Sequence, residues 1–153
     1  VSYIHGAGRI GVLVVADTAV VNDDVKEALK NIAMQIAAMN PKYISRADVD
    51  QDYIEGEKKV LLAEAKNEKP DANEKMLEGI VNGRINKQLK EICLMDQVYV
   101  KAEDGKQSVA KYLAEVAKAN GAFTVKGYVR FETGEGLEKK NEDFAAEVAA
   151  QLQ

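Results

Sequence analysis

Hydrophobic positions near the start of the chain recur with a two-residue period. Five large apolar residues within positions 10–16 alternate between two faces, with Ile10, Val12 and Val14 on one and Leu13 and Val15 on the other. Together with the extended run of residues 2–5, this period predicts an antiparallel β-hairpin of residues 2–5 and 9–16. Since both faces of the second strand are apolar, its second face needs its own cover. We expect a helix of this chain to supply that cover, and a binding partner is the alternative.

The turn of this hairpin contains the spacing Gly6-x-Gly8-x-x-Gly11, which matches the dinucleotide-binding fingerprint. That fingerprint requires a helix after the glycines, so that the helix N-terminus meets the pyrophosphate. Residues 12–15 are instead Val-Leu-Val-Val, which favours a strand. A nucleotide-binding enzyme is therefore the weakest of the function hypotheses, and a helix over residues 9–16 would revive it.

A helical period follows the hairpin. Asn22 is a predicted N-cap, and Asn40-Pro41 is expected to end the helix. Between them, five apolar residues recur at helical spacing: Val25, Leu29, Ile32, Ile36 and Met39. We expect this apolar face to cover one side of the sheet.

Residues 50–92 are rich in charge, and their apolar positions are sparse. Those positions form two narrow stripes, Ile54, Val60, Leu61 and Ala65, then Leu77, Val81, Ile85, Leu89 and Ile92. With a turn at Lys69-Pro70-Asp71, the stripes predict two antiparallel helices that project from the body as a coiled-coil hairpin. Gly79 and Gly83 each cost about 1 kcal/mol relative to Ala in a helix. They indicate either a loosely formed second helix or a close contact between the two helices.

The last third of the chain returns to an ordinary core pattern. A helix is predicted from Gln107 or Ser108 to Asn120, and a strand is predicted next. In that strand four residues, Val125, Gly127, Val129 and Phe131, alternate with four others, Lys126, Tyr128, Arg130 and Glu132. A final helix is predicted from Glu142 to Leu152, with Phe144, Val148 and Leu152 along one stripe.

These elements predict an α+β fold in which helices cover a small antiparallel sheet. A projecting antiparallel helical hairpin and a C-terminal helix complete it. The predicted domain organisation has a core subdomain of residues 1–49 and 93–136. Residues 50–92 form the inserted hairpin, and residues 137–153 form a C-terminal helical module.

Charge and cysteine content limit the kinds of partner and the cellular compartment that we expect for this chain. The 153 residues carry a formal net charge of −4, which argues against nucleic acid or an anionic membrane as the main partner. No apolar run approaches the roughly 20 residues that span a bilayer. Cys93 is the single cysteine and is predicted to be a buried small hydrophobe. A single cysteine cannot form an internal disulfide, which fits a reducing compartment. We therefore expect the chain in the cytoplasm.

The residue types needed for catalysis do not come together in this sequence. His5 is the only histidine, and no serine or cysteine lies beside it in a triad-like motif. Its simplest interpretation is a turn residue that bonds the loop backbone. The carboxylates lack the spacing of metal ligands or of an acid–base pair. We predict no catalytic, cofactor or metal site, and hence no enzyme.

Several blocks of the sequence, in order, resemble one family. Residues 2–14 (SYIHGAGRIGVLV) resemble the opening of the C-terminal half of bacterial elongation factor Ts. Four further blocks follow in family order: 32–43 (IAMQIAAMNPKY), 90–94 (KEICL), 129–140 (VRFETGEGLEKK) and 143–150 (DFAAEVAA). Ordered blocks over nearly the whole chain are far more specific than a single glycine motif.

The resemblance implies a function without covalent chemistry. Elongation factor Ts is the exchange factor that promotes GDP release from elongation factor Tu, because it binds the nucleotide-free GTPase better than the loaded one. This chain resembles the core and dimerisation portion. His5 and Arg9 lie in a loop that, in the family, faces elongation factor Tu. Phe144, Val148 and Leu152 lie in the module that reaches the GTPase domain. The apolar second face of the sheet is then expected to dock on that partner or to form a homodimer.

The family's exchange wedge, a Thr-Asp-Phe motif, does not occur in this sequence. In the family it lies in an N-terminal region that ends before the point matching residue 1. We therefore expect this chain to supply docking and dimerisation without exchanging nucleotide alone. The alternative is a homodimeric protein-interaction module that is unrelated to exchange.

Overall fold

The sheet has three antiparallel strands. The computed structural model describes residues 1–137, so the predicted helix of residues 142–152 lies outside the described residues. The strands are β1 (Ser2–His5), β2 (Ile10–Thr18) and β3 (Phe123–Glu132), in the order β1-β2-β3. The predicted hairpin of β1 and β2 is confirmed. Since residues 10–18 are a strand and not a helix, the glycine loop does not have the geometry of a dinucleotide site.

Two helices cover the inner face of the sheet. Helix α1 (Asp23–Met39) begins at the predicted N-cap, since the Asn22 side chain accepts a hydrogen bond of 2.9 Å from the Val25 amide. It ends at Asn40, whose φ of 44° is left-handed, one residue before Pro41. The buried core between these layers consists of Val12, Val14, Val25, Ile32, Ala33, Ile36, Ala37, Leu94, Tyr99, Val109, Leu113, Phe123 and Val125. The α+β class is therefore confirmed.

The second covering helix comes from the last third of the chain. Residues 109–120 form α4 (Val109–Asn120), which the Ser108 side chain caps as predicted. Helix α4 packs against α1 and against the start of β3. Asn22 also donates a 2.7 Å hydrogen bond to Asn120. The first turn of α1 is thereby joined to the end of α4, which fixes the two helices on one side of the sheet.

The predicted phase of β3 is wrong beyond Val125. Lys126 is an extra residue between two paired positions, because Val125 pairs with Ala16 while Gly127 pairs with Val15. Such a bulge reverses the faces of all later side chains. The predicted face of Val125, Gly127, Val129 and Phe131 is therefore split. Val125 is 7% exposed in the core, whereas Val129 and Phe131 lie on the outer face and are 47% and 62% exposed.

The residues that the bulge turns inward hold the end of α1. The Tyr128 hydroxyl donates a hydrogen bond to the Pro41 carbonyl. Arg130, whose side chain is 10% exposed, lies 2.9 Å from Glu132 and 3.5 Å from the Ala37 carbonyl. The last turn of α1 contains no basic residue of its own. A cation from β3 thus lies near carbonyl groups that the helix leaves unpaired.

Residues 51–92 form a helical hairpin. Helix α2 (Gln51–Glu68) and helix α3 (Glu74–Ile92) are joined by five residues and pack against each other. A second, smaller buried cluster lies between these helices and the residues that flank them. It consists of Val49, Leu61, Val81, Ile85, Leu89 and Cys93. A Cβ on Gly79 or Gly83 would meet nothing within 4 Å. These glycines therefore do not mark the close helix contact that was one of the two expectations.

Short segments join the hairpin to the core. Two 3₁₀ turns, Arg46–Asp48 and Leu94–Asp96, flank it. Arg46 bonds to Asp96 at 2.8 Å and to Asn86 of α3 at 3.0 Å. Buried Gln97 donates to the Glu91 carbonyl at 2.7 Å and accepts from Gln35 of α1 at 3.2 Å. None of the helices within residues 1–137 has the length and apolar character that crossing a membrane requires.

Candidate docking surface

The outer face of the sheet is apolar, and nothing within residues 1–137 covers it. Strand pairing arranges it in three rows. Ile4, Gly11 and Phe131 form the first row, Ser2, Leu13 and Val129 the second, and Val15 and Gly127 the third. The exposed fractions of the five large side chains are 72% for Ile4, 49% for Leu13, 62% for Val15, 47% for Val129 and 62% for Phe131. Contiguous apolar surface of this kind is typical of an interaction site.

The expectation that a helix of this chain covers the outer face is wrong for residues 1–137. Helices α1 and α4 both lie against the inner face, where Val12 and Val14 are 2% and 3% exposed. The outer rows carry no ionisable side chain. At one end they are bordered by an ion pair of Asp17 and Lys126, 3.4 Å apart. The face is thus a neutral patch with a charged rim.

The hairpin turn at the other end of the sheet holds the first two predicted site residues. His5 is the last residue of β1 and Arg9 immediately precedes β2, and both are exposed. The Nδ1 atom of His5 lies 3.0 Å from the Tyr3 hydroxyl. The histidine therefore contacts a neighbouring side chain on its own strand, rather than the loop backbone that its simplest interpretation predicted.

The turn has a defined backbone shape. Gly6, Ala7 and Gly8 have φ values of 61°, 56° and 88°, so three consecutive residues are left-handed. For Ala7 this conformation carries strain, because its Cβ disfavours positive φ. The Thr133 amide donates a 2.8 Å hydrogen bond to the Arg9 carbonyl. The turn after β3 thus supports the loop that presents His5 and Arg9.

The structure brings His5 and Arg9 together at one end of the sheet. The other three predicted site residues, Phe144, Val148 and Leu152, lie outside the described residues. The sequence prediction missed Ile4, Val129 and Phe131 as members of the outer face. Ile4 could have been found from the hairpin register, since it pairs with Gly11. Val129 and Phe131 could not, because the bulge at Lys126 has no clear sequence signal.

The described residues also form clefts away from the sheet. One polar cleft of about 770 Å³ is lined by Lys101, Lys106 and Lys111 and by the stacked rings of Tyr99 and Tyr112, whose centroids are 4.1 Å apart. Over residues 1–137, no three His, Cys, Asp or Glu side chains are grouped as metal ligands. Cys93 is fully buried as predicted, and burial raises the pKa of its thiol. A raised pKa makes the thiolate, the nucleophilic form, scarce.

Comparison with known proteins agrees with the sequence blocks. Residues 1–135 match the family model described as Elongation factor TS. The chain is 50% identical over 151 residues to elongation factor Ts of Clostridioides difficile, covering 98% of this chain and 48% of that protein. It is 51% identical over 153 residues to elongation factor Ts of Clostridium botulinum strain Eklund 17B, covering 99% of this chain and 49% of that protein.

This chain covers a larger share of a third, shorter relative. Elongation factor Ts of Desulforamulus reducens is 48% identical over 157 residues, covering 99% of this chain and 70% of that protein. The chain spans about half the length of the two clostridial relatives. The match to the family model and the coverage of the Desulforamulus protein lead to one conclusion: this chain belongs to the elongation factor Ts family.

Proposed function

We propose that this chain docks on elongation factor Tu and forms a homodimer through the outer face of its sheet, as part of a guanine nucleotide exchange factor. Membership of the family supports elongation factor Tu as the partner. The exposed apolar face of the sheet supports the homodimer. The same interpretation makes the chain a translation factor of the cytoplasm that has no covalent chemistry of its own.

Docking on elongation factor Tu is assigned to the loop at the end of the sheet. His5 and Arg9 are exposed there on a turn that the Thr133 amide supports. A supported loop loses less conformational entropy on binding than a free one. An exposed arginine can form two hydrogen bonds with one carboxylate on the partner. The resemblance adds Phe144, Val148 and Leu152, which lie outside the described residues, as a further contact to the GTPase domain.

Exchange follows if the partner's nucleotide-free state binds this surface better than its GDP-bound state. Binding of the two ligands is then coupled, and each weakens the other by the same factor. A docking surface that does not discriminate between the two states leaves GDP release unchanged. The 153 residues contain no Thr-Asp-Phe sequence. We therefore assign this chain docking and dimerisation, and we expect GDP release to depend on a wedge that it does not carry.

The deciding experiment measures GDP release and binding together. A fluorescent GDP analogue is loaded on elongation factor Tu, and its release rate is followed while this chain is titrated. Binding is measured in parallel by isothermal titration calorimetry. The expected result is saturable binding without faster release. Arg9→Ala and His5→Ala should weaken binding, whereas Lys118→Ala, an exposed cation in the last turn of α4, serves as the matched control and should not.

Each outcome decides between specific hypotheses. Accelerated release would overturn the claim that the chain lacks exchange activity. Absence of binding at any concentration would overturn docking and favour the alternative, a homodimeric interaction module without exchange activity. Equal weakening by Lys118→Ala would show that general charge, and not the loop, determines affinity. Sedimentation velocity over a range of protein concentrations tests the homodimer independently.

A further inference from the structure

An apolar groove of about 530 Å³ lies between α4 and the first residues of β3. Ala110, Ala114 and Ala117 line it on one face of α4, since they are spaced by four and three residues. Ala114 is exposed, so nothing within residues 1–137 fills the groove at this point. A face without large side chains allows a helix backbone to approach closely. Larger apolar side chains also line the groove: Ile44, Met95 and Phe123.

The groove lies at the free edge of the sheet. In the order β1-β2-β3, strand β3 pairs with another strand on one side only. Residues 123–126 all line the groove, whether they point to the inner face or away from it, which is possible only at the edge of a strand. Proteins commonly cover such an edge with a helix, because an unpaired strand is a template for association. A helix in the groove would therefore also cover the start of β3.

The sequence beyond residue 137 has the composition that this groove accommodates. Residues 138–153 follow the described part, and a helix is predicted over residues 142–152. Val148 and Leu152 are one turn apart on its apolar stripe. The same eleven residues include four alanines, so the predicted helix is narrow and can approach the alanines of α4 closely.

The groove is at one end of β3, and the chain leaves the sheet at the other end. From Val125 to Glu132 the strand spans about 23 Å, at about 3.3 Å per residue. The following turn keeps the chain near Glu132, since the Leu137 amide donates to the Gly134 carbonyl at 3.2 Å. A segment that returns to the groove therefore runs back along the free edge of β3, antiparallel to that strand.

The length of this segment determines which side chains enter the groove. Five extended steps from residue 137 to residue 142 reach about 17 Å. A helix then adds about 1.5 Å per residue, so Val148 reaches about 26 Å and Leu152 about 32 Å. The groove begins about 20 Å from the end of β3 and continues to about 30 Å. Both side chains thus reach it, whereas Phe144, at about 20 Å, reaches only its rim.

We propose that residues 142–152 dock in this groove when the chain is free, with Val148 and Leu152 against the alanine face of α4. The contact removes two apolar side chains from water and covers the free edge of β3. Attachment to the same chain gives the segment a local concentration of the order of mM, which favours it over the segment of a second copy. The docked segment is withheld from any partner that binds the same stripe.

Tryptophan fluorescence tests the docking in the complete chain, which contains no tryptophan of its own. Leu152→Trp introduces one at the groove, and Ala150→Trp, on the opposite face of the predicted helix, is the matched control. We expect the emission of Leu152→Trp to be blue-shifted and protected from acrylamide quenching at every protein concentration. The emission of Ala150→Trp should be that of tryptophan in water.

A substitution in the groove tests whether α4 is the binding partner of the segment. Ala114→Glu, combined with Leu152→Trp, places a charge against the docked segment and should return the emission to that of tryptophan in water. Ala119→Glu is the matched control, because Ala119 is exposed on the same helix and does not line the groove. It should leave the blue shift unchanged.

A thiol reaction leaves the segment itself unchanged, so it also applies if an indole is too large for the groove. The rate at which a disulfide reagent modifies Ala114→Cys is compared with the rate for Ala119→Cys. The native Cys93 is fully buried and should not react. We expect Ala114→Cys to react about tenfold more slowly or less, because the docked segment must open before the reagent enters.

Three results would overturn the docking. Equal thiol reaction rates would show that the segment leaves the groove open. A blue shift that survives Ala114→Glu would show that the segment binds elsewhere. A blue shift that disappears on dilution would show that the segment comes from a second copy. None of these measurements includes elongation factor Tu, so their failure would leave the proposed docking on that partner untouched.

Discussion

The inner and outer faces of the sheet carry similar residues and differ in what covers them. On β2, Val14 is 3% exposed and its neighbour Val15 is 62% exposed. The inner face lies under α1 and α4, and the outer face meets no described helix. Alternation of apolar residues on both sides of a strand therefore shows that two covers are needed. It does not show which part of the molecule supplies each one.

The largest expected effect comes from making the same change on each face. Val14→Ala should lower the free energy of unfolding by about 2–3 kcal/mol, since it removes buried methyl groups and leaves a cavity. Val15→Ala should change it by less than about 1 kcal/mol, which is the range of strand propensity. Urea unfolding followed by far-UV circular dichroism, at a concentration where the chain is monomeric, measures both. Equal losses would mean that the outer face is covered within the chain.

A smaller effect is expected where the bulge turns a polar residue to the inner face. Tyr128→Phe removes the hydrogen bond to the Pro41 carbonyl and should cost about 1 kcal/mol at pH 7. Burial raises the pKa of Tyr128 in the folded chain. The stabilisation from the Tyr128 hydroxyl is therefore complete below the pKa that tyrosine has in the unfolded chain, about 10. It is lost as the pH rises through the pKa of Tyr128 in the folded chain. The cost of Tyr128→Phe should shrink above pH 10.

Urea unfolding at pH 7 and at about pH 10.5 checks this prediction. Tyr53→Phe is the control, because Tyr53 is 41% exposed on α2, and it should change stability little at pH 7. A cost of Tyr128→Phe that stays constant up to high pH would contradict the assigned role of the buried hydroxyl.

A third change compares an open glycine on the hairpin with the glycine that ends α4. Gly83→Ala should raise the free energy of unfolding by about 0.5–1 kcal/mol, because it improves helix propensity and its Cβ meets no atom. Gly121→Ala is the contrasting variant. Its φ is 90°, so alanine there should destabilise the chain. Thermal unfolding measures both changes, and a loss of stability from Gly83→Ala would indicate that something covers that face of α3.

The smallest effect is expected near the end of the hairpin, where solvent surrounds an ion pair. A hydrogen bond from Arg84 holds the pKa of Glu68 below its ordinary value. The stabilisation from this hydrogen bond is therefore present above the ordinary pKa of a glutamate. It is lost as the pH falls through the pKa of Glu68 in the folded chain. Glu68→Gln should slightly reduce the acid dependence of stability below about pH 4.5. Glu55→Gln, elsewhere on α2, is the control, and urea unfolding at pH 3–7 compares the two slopes.

Local signals were sufficient for the helices. Asn22 and Ser108 cap α1 and α4 because a side-chain oxygen placed before a helical period accepts from a free amide. Pro41 lies one residue beyond the Asn40 cap, and the two stripes of residues 50–92 became α2 and α3. These features depend on residues within one or two turns of each other, which the sequence contains in full.

The same reasoning from the sequence found only part of the candidate docking surface. His5 and Arg9 came from the resemblance, and their exposure agrees with a docking role that remains a proposal. Val129 and Phe131 were assigned the face of Val125, since an alternating pattern gives no sign of one extra residue. A bulge at Lys126 is a property of pairing with Val15 and Ala16, which lie more than 100 residues earlier.

The sequence by itself determined the α+β class, the positions of the helices, the strand after the glycine loop and the family. Each follows from local periodicity, capping or ordered blocks of residues. The tertiary structure alone decided which face of β2 is covered and which residues of β3 join it, and it left Gly11 and Gly127 open. The physical reason is that burial and register depend on pairing between distant segments, whose outcome no local pattern encodes.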